Sequence, residues 1–397
     1  MEVLSIWAVA WFFILSTMAA STHEPFAPRC VMYLTGQHNV VPSDQELTKH
    51  ITHVVLAFMR SDVFNSDQQS PEFPLFTTVG EVREKFHHET KVMVAVGGWG
   101  DSKGFEEANK DAKSRERWCE NVKEMIDLTG ADGVDIDWEY PGGNRDDYKI
   151  IPNEKRKWEI EAFVQLLTDL RVAIGREKLL SIAVPGLERD MMAFTEETVP
   201  RIVKQVDFIN VMTYDLLNRR DTLVKHHSGV SASLESIESY MARGASAQLL
   251  NLGLAYYVKW AMTEECDPGH PLSCATQLLE DPETGADLGR TAAFSWHDKI
   301  PEELEKSFSR AVTDGKYFED GSFGYLDVEE TRWWTFDTPS VIHRKFEDIV
   351  KERRLGGVFA WGLGEDAPVF SHLSATLHEL QNLTRDGMGE AASKDEL

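Results

Sequence analysis

Basic residues are scarce in this 397-residue chain. Lysine and arginine together number 41, against 66 aspartate and glutamate residues, so the formal net charge is −25 and the sequence pI is near 4.9. A protein that binds a nucleic acid needs a basic surface that displaces counterions from phosphates. The composition therefore excludes a nucleic-acid partner and favours a neutral or polar substrate.

Long apolar runs are lacking beyond the first twenty residues. The run from Val3 to Leu15 is too short to favour a membrane anchor and precedes several small residues, which is typical of a secretory signal peptide over residues 1–20. The last four residues, Lys394 to Leu397, read KDEL, the signal that the retrieval receptor of the endoplasmic reticulum binds. We therefore predict a protein of the endoplasmic reticulum lumen that is not inserted into the membrane.

Cysteine is also rare, and the four cysteines allow at most two disulfides. Cys266 and Cys274 enclose a short loop rich in turn residues, so we expect them to pair in the oxidising lumen. Cys30 precedes the first predicted strand and Cys119 lies early in a predicted helix. We expect these two cysteines to be free.

Apolar strand patterns recur after the signal peptide, with helical patterns between them. Each pattern is apolar, β-branched or aromatic without polar alternation, as expected for parallel strands that are covered on their outer side. Eight strands that alternate with helices predict an α/β fold, a (β/α)8 TIM barrel rather than an open doubly wound sheet. The predicted strands are residues 31–36, 53–58, 91–97, 133–139, 179–185, 207–214, 250–256 and 356–361.

One connection is far longer than a helix requires. The chain leaves the barrel pattern between the seventh and eighth strands, over residues 259–336, and this stretch contains its own aromatic residues. Such a connection predicts a small inserted α+β domain. The barrel then comprises residues 28–258 and 337–383, and residues 384–397 form a polar tail that we expect to be flexible.

Three carboxylates lie in a file at the end of the fourth predicted strand, in the sequence DGVDIDWE of residues 132–139. Side chains alternate along a strand, so Asp135, Asp137 and Glu139 share one face, while Trp138 points to the other face and is expected in the core. Like charges on one face repel each other, which favours a proton shared within the group. An exposed acidic edge strand is the alternative, but the glycine before the carboxylates and the sequence YPGG after them mark an abrupt turn.

Other predicted strand ends carry hydroxyl and aromatic side chains. The sixth strand ends with Met212, Tyr214 and Asp215, the seventh is followed by Tyr257, and the eighth ends with Trp361. Barrel enzymes place their chemistry at the carboxyl ends of the strands, so we expect these residues in one site. Acids, a hydroxyl and aromatic rings suit a sugar, because aromatic faces stack on pyranose rings.

The segment at residues 132–139 resembles the DxxDxDxE signature of glycoside hydrolase family 18, the chitinase family. The Gly-Gly motif after the third strand, the Met-x-Tyr-Asp motif, the late tryptophan and the insertion before the last strand match the same family, in order. The resemblance covers about residues 30–380. The chain is similar to the subfamily whose inserted domain forms one wall of a deep groove. It implies cis peptide bonds at Ala57–Phe58 and Trp361–Gly362.

The resemblance also implies roles for individual residues. Glu139 is the general acid, Asp137 orients the acetamido group of the substrate, and Asp135 shares charge with Asp137. Tyr214 donates a hydrogen bond to the acetamido oxygen, and the substrate itself supplies the nucleophile, because family 18 is an exception among retaining glycosidases. The residues expected to bind the substrate are Tyr33, Phe58, Trp99, Tyr140, Met212, Asp215, Tyr257 and Trp361.

Two positions depart from the family pattern. The family usually has Tyr-Gly-Arg after the seventh strand, where this chain has Tyr257, Val258 and Lys259. A planar guanidinium becomes a single ammonium, which changes the expected grip on the sugar beside the cleavage point. The serine that is common in the Gly-Gly motif is Ala95 here, a change of smaller expected effect.

We therefore predict an endo-acting, retaining hydrolase of β-1,4-linked N-acetylglucosamine polymers such as chitin, which acts as a monomer without a cofactor. The histidine pairs at residues 87–88 and 226–227 have no further ligands in the sequence, so we interpret them as surface or loop histidines and expect no metal. Two alternatives stay open. A chitinase-like lectin is disfavoured because Glu139 is present. An endo-β-N-acetylglucosaminidase for the N-glycan core suits the KDEL signal but not the insertion, which favours a long linear chain.

Overall fold

The computed structural model describes residues 27–67, 72–366 and 369–394, with side chains up to residue 385. The predicted signal peptide at residues 1–20 and the last three residues of the KDEL sequence lie outside the described residues, and both stay sequence-based predictions. Within the described ranges, no helix has both the length and the apolar composition that crossing a membrane requires.

Eight parallel strands close into a barrel, which confirms the predicted (β/α)8 fold. Their order around the barrel is β1, β13, β7, β6, β5, β4, β3, β2, and the other five strands form a separate sheet. In chain order the strands are β1 (Arg29–Thr35), β2 (His53–Met59), β3 (Lys91–Gly97), β4 (Gly133–Asp137), β5 (Leu179–Pro185), β6 (Phe208–Met212), β7 (Leu250–Ala255), β8 (Tyr257–Met262), β9 (Thr291–Ser295), β10 (Lys316–Tyr317), β11 (Phe323–Asp327), β12 (Arg332–Phe336) and β13 (Gly357–Trp361).

Helices cover the outside of the barrel. Helix α4 shows how local sequence sets its limits, because the Asp111 side chain accepts from the Ser114 N–H at its start and Gly130 has a φ of 72° at its end. The helices are α1 (Gln45–Thr48), α2 (Val79–Arg83), α3 (Lys103–Ala108), α4 (Ala112–Thr129), α5 (Trp158–Ile174), α6 (Val199–Ile202), α7 (Val230–Ala242), α8 (Glu302–Asp314), α9 (Pro339–Lys345) and α10 (Ser371–Lys394).

The insertion is an antiparallel sheet in the order β10, β11, β12, β8, β9, with α8 packed on it. Phe308 of α8 lies against Phe294 of β9 and Trp334 of β12, with ring centroids 5.0 and 5.2 Å apart. The sheet begins at Tyr257 and ends at Phe336, so it starts two residues before the predicted boundary. Strand β8 follows β7 almost directly, which fixes the sheet beside the barrel mouth.

The barrel core also follows the sequence pattern. Trp138 is buried and stacks on Phe105 with ring centroids 5.0 Å apart, as its predicted outward direction from β4 requires. Cys266 and Cys274 form the predicted disulfide, and Cys30 and Cys119 are free and buried.

Several element ends differ from the prediction. Strand β4 ends at Asp137 and β6 at Met212, two residues earlier than predicted, because parallel pairing of β4 with β3 and of β6 with β5 ends there. Helix α6 is a single turn with Pro200 near its start, and the Thr198 hydroxyl donates to the Ala193 carbonyl just before it at 2.7 Å. Helix α10 continues to Lys394, into the predicted tail, where alanine and glutamate favour helix and proline is lacking.

Candidate active site

A cavity of about 630 Å³ lies at the carboxyl ends of the barrel strands, and residues of β9 form part of its wall. The early ends of β4 and β6 place Glu139, Tyr214 and Asp215 on loops at this mouth. Asp135 lies beneath the cavity. The other predicted site residues all line it: Tyr33, Phe58, Trp99, Asp137, Glu139, Tyr140, Met212, Tyr214, Asp215, Tyr257 and Trp361.

Asp135 is fully buried on β4 and is held by three hydrogen bonds. Its Oδ2 accepts from the Tyr33 hydroxyl at 2.8 Å, while its Oδ1 accepts from the Ser181 hydroxyl at 2.6 Å and the Asn210 amide at 3.5 Å. Burial raises the pKa of Asp135 to about 6, and these hydrogen bonds limit the rise. Tyr33, which we expected to bind substrate, is 1% exposed with its hydroxyl committed to Asp135, so its main contact is with the acid.

Asp137 and Glu139 interact through their charges at the base of the cavity. Asp137 is buried, and its Oδ1 has no hydrogen-bond partner among the described residues. Burial and the negative charges of Glu139 and Asp135 raise the pKa of Asp137 well above its ordinary value. Burial raises the pKa of Glu139 to about 7, and the carboxylates of Asp215 and Asp190 contribute to the rise. Glu139 is therefore partly protonated near neutral pH, and a general acid acts in its protonated form.

Asp215 receives its partners on one carboxylate oxygen. Its Oδ1 accepts from Lys259 Nζ at 2.6 Å and from the Tyr257 hydroxyl at 2.9 Å, and lies 3.8 Å from Nδ1 of His227. Although removal from water opposes ionisation, the Lys259 ammonium lowers the pKa of Asp215 below its ordinary value. The side chain is 53% exposed, and no described residue hydrogen-bonds its Oδ2. Asp215 is thus an ionised acceptor with one oxygen available to a ligand.

Aromatic rings form the floor and one rim of the cavity. Trp361 stacks on Phe58 with ring centroids 5.4 Å apart and an interplanar angle of 21°. Trp99 is 51% exposed and lies 6.2 Å from Tyr140. Flat apolar faces with polar groups around them match the two faces of a sugar ring. The cis peptide bonds at Ala57–Phe58 and Trp361–Gly362 are present as predicted, with a third at Glu139–Tyr140.

The sequence pattern does not indicate three charged residues of the cavity wall. Asp190 follows β5, Arg219 follows β6 and Glu365 follows β13, and each lines the cavity. Burial raises the pKa of Glu365 to about 7, and the Arg219 guanidinium lies 5.9 Å from the ring of Trp99. These residues belong to no motif. Their position a few residues beyond a strand end is the one signal that could have found them.

His226 and His227 lie in a loop between β6 and α7, as one of the two interpretations predicted, but they are not at the surface. Both are buried, because the aromatic rings of Phe318 and Trp333 from the insertion cover His226 and the ring of Tyr257 lies 5.3 Å from that of His227. Burial lowers the pKa of both histidines, that of His226 to about 4. His227 is therefore a neutral ring whose Nδ1 lies 3.8 Å from the Asp215 carboxylate.

The pair His87 and His88 has a third possible ligand that the sequence reading did not consider. Their ring nitrogens and a carboxylate oxygen of Glu89 lie within 4.8 Å of one another at the surface. The three residues come just before β3, so they lie at the amino ends of the barrel strands, opposite the cavity. They take no part in the site.

Residues 29–366 match the family model of the glycosyl hydrolases family 18. The chain belongs to this family. It is 26% identical over 353 residues to probable chitinase 10 of Drosophila melanogaster, covering 84% of this chain and 15% of that protein. It is also 26% identical to putative chitinase 1 of Margaritifera margaritifera, covering 84% of this chain and 70% of that protein.

Solved structures show the same fold at low sequence identity. A Rhizomucor miehei chitinase aligns with a TM-score of 0.68 and 18% identity, covering 88% of this chain and 99% of that one. The second catalytic domain of an Ostrinia furnacalis Group II chitinase aligns with a TM-score of 0.66 and 22% identity, covering 90% and 97%. The family 18 protein spans only part of some relatives, for example 45% of chitinase 63 of Streptomyces plicatus.

Proposed function

We propose that this family 18 glycoside hydrolase cleaves β-1,4-linked N-acetylglucosamine saccharides with retention, by substrate-assisted catalysis. The observation that carries the proposal is the file of Asp135, Asp137 and Glu139, which share raised pKa values at the base of a cavity with aromatic walls. Its relatives favour this substrate, since those named above are chitinases and one Ostrinia furnacalis structure contains penta-N-acetylchitooctaose.

The first step breaks the glycosidic bond. Glu139 transfers its proton to the leaving oxygen while the carbonyl oxygen of the substrate's own acetamido group attacks the anomeric carbon, giving an oxazolinium ion. Asp137 accepts a hydrogen bond from the acetamido N–H and stabilises the positive charge that develops on the ring. The buried proton shared with Asp135 lets Asp137 change its charge during the step.

The second step restores the acetamido group. The Glu139 carboxylate takes a proton from water, whose oxygen attacks the anomeric carbon from the side that the leaving group vacated, and the oxazolinium ring opens. Two successive inversions give overall retention. Trp361 lies under the sugar ring, Tyr214 donates to the acetamido oxygen, and Oδ2 of Asp215 accepts a sugar hydroxyl.

Assays of the purified protein on chitin oligomers and on a high-mannose glycopeptide test this proposal. We expect chitin oligomers to be cleaved and the glycopeptide to be left intact. Cleavage of the glycopeptide alone would establish the N-glycan alternative. Saccharide binding without hydrolysis of either substrate would establish the lectin.

A further inference from the structure

A first bridge of contacts spans the cavity on the side of β1. His38, just after β1, places its Nε2 3.0 Å from Oδ1 of Asp298, which follows β9 in the insertion. Nearby, the carbonyl of Glu365 accepts the Trp296 N–H at 2.9 Å and the Ser295 hydroxyl at 3.1 Å. This first bridge fastens the insertion to the loops after β1 and β13, and the side chains of His38, Asp298 and Glu365 line the cavity.

A second bridge joins the loop after β4 to another segment of the insertion. Lys149 Nζ lies 2.7 Å from Oε1 of Glu280 and donates to the carbonyl of Asp281 at 3.1 Å. The Tyr148 hydroxyl donates to the same carboxylate of Glu280. The contact unites residues 132 positions apart, and the Glu280 side chain is largely buried in it.

Two arginines from the loop after β6 complete the second bridge. Arg219 donates from Nε to the carbonyl of Gly285 at 3.0 Å and from a terminal nitrogen to the carbonyl of Asp146 at 3.2 Å. Arg220 donates to the carbonyls of Asn144 and Arg145, each at 2.7 Å. Three chain segments therefore meet here, and Arg219, Arg220 and Asn144 line the cavity.

The two bridges stand on opposite sides of the barrel mouth. In the closed strand order, β5 lies across the barrel from β1, and β4 and β6 flank β5. The first bridge rises from the loops after β1 and β13, and the second from the loops after β4 and β6. The insertion contacts both, so the cavity is walled at its two ends as well as along its side.

The volume of the cavity limits the size of its ligand, although its mouth is open to solvent. Its volume of about 630 Å³ falls within the range of roughly 300 to 1,000 Å³ that encloses a drug-sized ligand. Two or three sugar rings have that size. A polysaccharide strand that passes through the site needs a groove open at both ends.

From the two bridges we infer that the active site takes saccharides of two or three N-acetylglucosamine units, and does not bind along a polymer. The inference rests on the proposed function for its sugar. It replaces the endo-acting mode expected from the sequence. The presence of an insertion favours a long-chain substrate, but in this protein the insertion closes both ends of the site. The physiological substrate class is then short chito-oligosaccharides, which an enzyme that cuts polymers must supply.

Binding measured without turnover tests the inference. In a Glu139→Gln background, calorimetry with N-acetylglucosamine oligomers of two to six units should give an affinity that stops increasing at three units. In an open groove, affinity would continue to rise through the hexamer, at least severalfold, and that result would overturn the inference. Failure of every oligomer to bind would overturn both the inference and the proposed function.

Variants that remove the bridges sharpen the test. Asp298→Ala removes the His38 contact of the first bridge, and Glu280→Ala removes the Lys149 and Tyr148 contacts of the second. Their combination in the Glu139→Gln background should raise hexamer affinity relative to trimer affinity at least fivefold. Glu161→Ala, which removes an exposed ion pair with Arg201 on the outside of the barrel, is the matched control and should leave that ratio unchanged. An unchanged ratio in the bridge variants would contradict the closed ends.

Hydrolysis assays on a chromogenic chitobioside separate the two proposals. Turnover of the chitobioside together with a fivefold or larger preference for it over chitohexaose supports both. Turnover of the chitobioside with equal or faster internal cleavage of chitohexaose supports the proposed function and overturns the inference. Hydrolysis of chitohexaose alone supports the proposed function and overturns the inference. If neither substrate is hydrolysed, the proposed function fails, and the binding measurements still decide whether the cavity is closed.

Discussion

Nζ of Lys259 lies 2.6 Å from Oδ1 of Asp215, and the two residues come from different walls of the cavity. Lys259 belongs to β8 of the insertion and is 8% exposed, whereas Asp215 follows β6 of the barrel. Lys259 stands where the family usually has arginine, and in this structure its ammonium pairs with the Asp215 carboxylate. We therefore expect Lys259 to affect the sugar mainly by keeping that carboxylate ionised and in place.

Replacement of Lys259 should weaken substrate binding. Lys259→Met removes the ammonium that lowers the pKa of Asp215 and leaves its Oδ1 with the Tyr257 hydroxyl as hydrogen-bond donor. We expect KM for a chitobioside to rise about tenfold, with a smaller change in kcat. This rise corresponds to the loss of one charge-assisted hydrogen bond worth about 1.5 kcal/mol. Lys259→Arg keeps the charge and should stay near wild type. A Lys259→Met enzyme with a wild-type KM would show that Asp215 does not need its partner.

Glu139→Gln should abolish hydrolysis while binding survives. The amide keeps the shape of the side chain but cannot transfer a proton, so kcat should fall at least about 100-fold. Calorimetry with a chito-oligosaccharide should show affinity within a few-fold of wild type. Glu161→Gln, on the outer surface, is the control with the same chemical change. Substantial residual activity in Glu139→Gln would remove this residue from the role of acid.

The pattern of apolar strands and the carboxylate file could be predicted because both are local. Eight buried segments and the alternation of Asp135, Asp137 and Glu139 depend on neighbours in the chain. The ends of β4 and β6 could not be predicted, because they depend on where the neighbouring strands β3 and β5 stop pairing. The burial of His227 could not be predicted for the same reason, because it depends on Tyr257 and on the insertion sheet.

The contacts at the two ends of the cavity could not be predicted from the sequence either. The first bridge joins His38 to Asp298 across 260 residues, and neither residue belongs to a motif. A sequence pattern indicates that an insertion exists, but not which barrel loops it contacts. The presence of the insertion favoured a long linear chain over the N-glycan core, whereas the length of saccharide that fits the cavity depends on those contacts.

Activity should decline as the pH rises through about 7. Glu139 acts as an acid only when protonated, and burial together with nearby carboxylates raises its pKa. Asp190→Asn removes one of those negative charges, which lowers the pKa of Glu139 and should move the alkaline limb of kcat to lower pH by a few tenths of a unit. Asp62→Asn, at an exposed ion pair with Arg60, should leave the limb in place. A limb that moves to higher pH in Asp190→Asn would contradict this electrostatic coupling.

A buried ion pair behind the site should matter for stability. Lys345 and Asp337 are both buried, with Nζ 2.7 Å from Oδ2, and Ser228 bonds the same ammonium. Lys345→Met leaves a buried carboxylate without its cation, so the free energy of unfolding should fall by about 3–5 kcal/mol in urea titrations. Arg201→Met at the exposed pair with Glu161 should cost no more than about 1 kcal/mol. Equal losses in the two variants would show that the buried pair is not needed.

The nucleophilic role of the substrate's own acetamido group is tested most directly by weakening that group. In a series of chromogenic chitobiosides whose reacting sugar carries an acetyl, fluoroacetyl, difluoroacetyl or trifluoroacetyl group, each fluorine withdraws electrons from the carbonyl oxygen. If that oxygen attacks the anomeric carbon while Glu139 protonates the leaving group, kcat should fall steeply at every step, by orders of magnitude across the series. A kcat that is independent of fluorination would contradict substrate-assisted catalysis and require a nucleophile from the protein.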